Sequence, residues 1–91
     1  MIIKFPISRF IVRDRSMEPM LVEFDRVFTI NFGKVQKGSV IVFRQNGRYL
    51  IKRVKELKGE DIIANSDNKK LAKREYKVRR TDVIGRVFLK Y

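Results

Sequence analysis

Asn46-Gly47 lies between two runs of β-branched and aromatic residues, Val40-Ile41-Val42-Phe43 before it and Tyr49-Leu50-Ile51 after it. A two-residue type I′ turn needs positive φ at both central positions, and Asn-Gly accepts that at little steric cost. The pair predicts a tight hairpin over residues 45–48, with strands over 39–43 and 49–57. The rest of the chain is divided in the same manner. Turn residues recur about every eight to twelve positions between short β-branched or aromatic segments, a spacing that points to an all-β fold.

The other segments follow from the same signals. Residues 9–13 read as a first strand. Residues 18–22 suggest a helical turn, with Ser16 as its cap and Pro19 early within it. Residues 26–31 alternate, with Val27, Thr29 and Asn31 on one face and Phe28 and Ile30 on the other. The unbroken apolar run 39–43 predicts a strand covered on both faces. Residues 61–65 form a further strand after the turn at 58–60, and 66–68 form a loop. A strand over 81–89 closes the chain, with Gly85 marking a bulge or a close backbone approach. Residues 69–80 fit either a short helix or an extended connection.

Ninety-one residues, 44% of them hydrophobic, suffice for one domain with one core. The chain contains neither cysteine nor histidine. It therefore has no disulfide and no thiolate or imidazole metal site, and no metal or other cofactor is expected. No stretch approaches the ~20 apolar residues of a membrane span. Residues 1–6 lack a signal-peptide apolar region, so a soluble, cytoplasmic protein is expected. The net charge of +12 attracts anions, whether an acidic substrate, a nucleic acid or an anionic surface. Seven basic groups crowd into residues 69–80: Lys69, Lys70, Lys73, Arg74, Lys77, Arg79 and Arg80. They are candidate anion-binding residues, although a solvated basic face would need no ligand.

Without histidine or cysteine, few routes to an activated nucleophile remain. One is a serine hydroxyl whose proton passes to a neutral lysine. Lys52 fits the requirement for burial. In a strand it shares a face with Leu50 and Val54, while Ile51, Arg53 and Lys55 share the other. Burial disfavours the ammonium and lowers the lysine pKa. From about 10.4 to about 8, the free base at pH 7 rises from roughly 0.04% to roughly 10%. The alternative is that Lys52 extends its ammonium to the surface. Ser16, likewise, could simply cap the following turn.

Taken together, the segments resemble the Ser/Lys peptidases that include type I signal peptidases and the peptidase domains of LexA-like repressors. Ser16-Met17-Glu18-Pro19-Met20-Leu21 resembles the nucleophile box of that family, and Leu50-Ile51-Lys52-Arg53-Val54 its lysine box. Glu23-Phe24-Asp25-Arg26-Val27, Lys37-Gly38-Ser39-Val40-Ile41-Val42-Phe43, Ser66-Asp67-Asn68 and Asp82-Val83-Ile84-Gly85-Arg86-Val87 resemble its other conserved segments, in the family's order. The resemblance implies an all-β fold of coiled sheets, a LexA/signal-peptidase-like catalytic core alone. Ser16 would be the nucleophile and Lys52 the general base, with the Ser16 N–H as an oxyanion donor and Met17 walling the site. Substrate would bind as an extended strand, flanked by Val12, Arg13, Asp14, Arg15, Leu50 and Ile51. A small residue would precede the scissile bond.

The departures from the family are specific. Asp14 stands where glycine or serine is usual, and a carboxylate there repels an oxyanion unless it is turned away. Phe24 replaces the glycine before Asp25, and Met20 replaces threonine. No Ala-Gly or Cys-Gly pair precedes Ser16, so cleavage in trans of a protein or peptide substrate is the expectation. Two other readings compete with it: a catalytically idle regulatory or binding module of the same fold, and a basic nucleic-acid-binding β-domain. Open edge strands would also allow a homodimer.

Overall fold

The computed structural model describes residues 6–91; the signal-peptide reading of residues 1–6 lies outside them but for Pro6. Seven strands follow in order: β1 (Ile7–Ile11), β2 (Arg26–Ile30), β3 (Val40–Gln45), β4 (Arg48–Lys58), β5 (Asp61–Asn65), β6 (Glu75–Arg79) and β7 (Val83–Lys90). The one helical element among the described residues is a short 3-10 segment at Arg80–Asp82. All seven strands join one antiparallel sheet in the order β1-β2-β7-β3-β4-β5-β6. The chain is all-β, as expected.

Asn46 and Gly47 take φ of 53° and 75°, and the β3–β4 hairpin pairs from Gln45↔Arg48 inward to Val40↔Arg53. Along β3 the side chains enter two separate cores. Ile41 and Phe43 pack with Val54, Ile62, Val78 and Val83. Val40 packs with Val12, Met17, Leu21 and Val27 on the opposite side. A strand covered on both faces needs an unbroken apolar run, and β3 has one. On β2 the alternation holds: Val27, Thr29 and Asn31 are buried, while Phe28 and Ile30 are half-buried. Gly85 marks a close approach, because a Cβ there would lie 2.6 Å from the Ile30 carbonyl oxygen and overlap Asn31 Oδ1.

Several boundaries and one element type differ from expectation. The first strand begins and ends two residues earlier than the 9–13 segment, because residues 12–14 leave the ladder to start the Ser16 loop. The turn expected near residues 18–22 forms, but no helix grows from it. The segment closes one turn through Leu21 N–H to the Met17 carbonyl and goes no further. Residues 69–73 are turn, and Glu75–Arg79 is a strand paired with β5. Tyr76 and Val78 face inward from β6 while Glu75, Lys77 and Arg79 stay exposed, a period of two that the surrounding charge obscures.

Candidate active site

Ser16 sits in a loop fixed at both ends. Val12 N–H donates to the Asp25 carbonyl at 2.8 Å, and Phe24 N–H donates to the Val12 carbonyl at 2.7 Å. Between these ties, Met17 and Leu21 are each 1% exposed and anchor the loop in the core. From the far side, Asn68 braces the serine. Its N–H donates to the Ser16 carbonyl at 2.9 Å and its Nδ2 to the Arg15 carbonyl at 2.9 Å.

The cap in this loop is Asp14, not Ser16. Asp14 Oδ1 accepts from Ser16 N–H at 3.0 Å and from Ser16 Oγ at 2.8 Å. Asp side chains favour this bond to the backbone two residues on. One carboxylate oxygen thus occupies both groups that an acyl-transfer serine would use, its hydroxyl and its own N–H. The hydroxyl's hydrogen bond goes to Asp14 rather than to Lys52.

Lys52 enters from β4 and is 3% exposed. Its neighbours follow the strand alternation: Val54 is buried with it and Leu50 is half-buried against the same core. Its ammonium lies 5.1 Å from the centre of the Tyr76 ring, and among the described residues it forms no ion pair. Burial pushes the Lys52 pKa down. Asp14 partly opposes that shift, and Arg74 and Arg48 add to it. Burial raises the Asp14 carboxyl, but the two Ser16 hydrogen bonds and the charges of Lys52 and Arg48 outweigh it and leave the group below its ordinary value. Asp14 is therefore the weaker base of the two, and the free amine of Lys52 is better matched to a serine proton.

The residue after Lys52 is held quite differently. Arg53 makes a two-pronged ion pair with Asp67, Nε to Oδ1 at 2.7 Å and Nη2 to Oδ2 at 2.8 Å. Its Nη1 donates to the Gly38 carbonyl at 2.7 Å. The loop at 66–68 thus clamps β4 through Asp67 and the serine loop through Asn68.

A groove of about 470 Å³ runs from the end of β1 to the start of β4. Val12, Arg13, Asp14, Met17, Leu50 and Ile51 line it, so six of the residues named from sequence meet there. Phe10 and Tyr49 touch across it, with ring centres 5.5 Å apart. The pairing of β4 changes along its length. Residues 48–52 pair with β3 alone, and β5 joins the ladder only from Arg53. That half of β4 leaves an edge open to an added strand. Arg15 is placed elsewhere: it pairs with Glu18 and lines a separate recess with Asn68, Lys69 and Lys70.

The basic segment does not form one patch. Lys69 and Lys70 share the Arg15 recess, Lys77 pairs with Asp61, and Arg80 donates to the Gly59 carbonyl. Lys73 and Arg79 are exposed. Arg74 alone of the seven reaches the neighbourhood of Lys52, its guanidinium 4.7 Å from the Tyr76 ring centre. Asp67 and Asn68 are site residues to which sequence reasoning gave no role, though the box containing them was visible. Tyr76, Arg48 and Gln45 were missed as site residues, because only the hairpin and β6 bring them beside Lys52. Among the described residues, no group of three acidic side chains could hold a metal ion, and no helix is long and apolar enough to cross a membrane.

A search of curated proteins returns no match to this chain. A family model described as Peptidase S24-like does match, over residues 8–88, which takes in every strand but the ends of β1 and β7. With its antiparallel fold, its serine loop and the buried lysine of β4, the chain belongs to the Peptidase S24-like family, within the LexA/signal-peptidase-like superfamily.

Proposed function

We propose that this protein is a serine endopeptidase that cleaves an extended peptide in trans after a small residue. The observation that carries the reading is Lys52, a cation buried to 3% exposure that has no ion pair among the described residues. Burying an unpaired ammonium opposes folding. The Tyr76 ring offsets only part of that cost, whereas a general base requires the burial.

In this mechanism the substrate adds as a strand along residues 48–52 and its carbonyl displaces Asp14 from Ser16 N–H. Ser16 Oγ attacks the carbonyl carbon as Lys52 takes the hydroxyl proton. The Ser16 N–H stabilises the oxyanion, a contribution of about 10²–10³ in rate for one such donor. Collapse breaks the C–N bond, and Lys52 returns its proton to the leaving amine. Water then attacks the acyl-serine with Lys52 again as base, releasing the new carboxylate and restoring Ser16.

The second reading, an idle regulatory module, is favoured by Asp14, whose carboxylate holds both Ser16 groups at once. Incubation with a mixed peptide library, followed by mass spectrometry, separates the two. Cleavage by the wild type that is lost in both Ser16→Ala and Lys52→Met supports the peptidase. No cleavage by any of the three supports the idle module.

A further inference from the structure

Beside the apolar groove lies a second, polar recess of about 160 Å³. It shares Asp14, Arg48 and Leu50 with the groove, and its remaining wall includes Lys52, Arg74 and Tyr76. Its charges do not balance. Three cations, Lys52, Arg48 and Arg74, face one acid, Asp14, whose Oδ1 is already committed to Ser16. The guanidinium of Arg74 is steadied on the Tyr76 ring at 4.7 Å, with the Lys52 ammonium also over that ring at 5.1 Å. Gln45, on the same wall, is fixed by its Nε2 donating to the Lys77 carbonyl at 3.1 Å. A place that gathers like charges around a small polar space is suited to an anion.

We infer that this recess is a subsite for an acidic side chain of the substrate, held by Arg74 and Arg48 next to the scissile bond. The inference rests on the peptidase reading for the position of the peptide, and it adds the substrate class: an acidic peptide. Two guanidinium groups can each offer paired N–H donors to one carboxylate. The volume suits one side chain rather than a polymer backbone. The chain's net charge of +12 would draw an acidic segment in from a distance. Lys69 and Lys70 line a different recess, so the segment's cations offer no continuous track for a phosphate backbone.

The test measures binding apart from cleavage. Fluorescein-labelled peptides that differ only by a Glu/Gln exchange, moved position by position, are titrated onto the Ser16→Ala protein and followed by anisotropy. At one register the Glu peptide is expected to bind at least about tenfold tighter, and the preference should fall below about twofold in Arg74→Gln. Arg74→Lys, which keeps the charge and loses the fork, should retain part of it. Equal binding of Glu and Gln peptides at every register would overturn the subsite. So would a preference unchanged in both Arg74→Gln and Arg48→Gln, or stronger competition from an oligothymidylate than from the Glu peptide. Cleavage of the same peptides by the wild type is read separately. Peptides bound with the Glu preference but left uncut would overturn the peptidase and leave the subsite standing.

Discussion

Lys52 and Arg53 are consecutive cations on β4 treated in opposite ways. Lys52 points to the inner face, 3% exposed, with its pKa pushed down by burial and no ion pair among the described residues. Arg53 points to the other face and is satisfied by Asp67 and the Gly38 carbonyl, which together with its partial exposure keep it charged; the Asp67 hydrogen bond raises its pKa. Strand alternation sends the two to different sides, and tertiary packing gives one a partner and denies it to the other. The pair shows how a site is separated from its support. The first charge meets only the Tyr76 ring and a small polar recess, while the second holds the strand and the 66–68 loop that brace it.

The largest predicted effect breaks the first half of the comparison. Lys52→Met should lower kcat/KM by about 10³-fold or more, within the range for loss of a general base. The same change should raise the melting temperature, because removing a buried ammonium that has no ion pair among the described residues relieves about 1–3 kcal/mol. The sign depends on pH. Lys52 is charged in both states below its folded pKa, so its cost is full there and vanishes above the ordinary value of 10.5. The stability gap between wild type and variant should close as pH rises through that window. For the wild type, activity should rise with pH to a midpoint below 10.5, as the lysine loses its proton.

Asp14→Ser sharpens the same half. It frees the Ser16 N–H and hydroxyl, and kcat/KM should rise about 10- to 100-fold, a part of what one oxyanion donor contributes. Because the Asp14 charge holds the Lys52 pKa up, its removal should move the activity midpoint to lower pH. A pH–rate profile checks both. An unchanged rate with an unchanged midpoint would show that Asp14 leaves the site freely in the wild type.

Arg53→Met breaks the other half. Chemical denaturation should show a loss of about 1–2 kcal/mol. That is less than a fully buried pair would lose, because the Arg53 side chain keeps 33% of its exposure and water screens the charge left on Asp67. Here stability falls where in Lys52→Met it rises. The smallest effect concerns the far end of the serine loop. Phe24 has φ of 73° and is 67% exposed, so it bears a left-handed strain that few contacts offset. Phe24→Gly should gain about 1 kcal/mol in the same assay.

Much of this was legible in the chain. Asn46-Gly47 determined the β3–β4 hairpin because its turn is a local matter of φ. The apolar run in β3 gave strand burial on both faces, and the alternation around Lys52 gave its inward direction, since side-chain period follows from strand geometry alone. The serine and lysine boxes named the residues of the candidate site and the family to which the chain belongs. Other features depended on contacts between distant segments. β6 was hidden because the signal of Tyr76 and Val78 is short and set among cations, and only pairing with β5 selects strand over helix. The bonds from Asp14 to Ser16 required the loop to be held between Val12, Asp25 and Asn68. The gathering of Arg48, Arg74 and Tyr76 around Lys52 required a hairpin and an edge strand to meet. Local geometry was written in the sequence; the neighbours of each charge, which set its proton affinity, were decided only by the folded sheet.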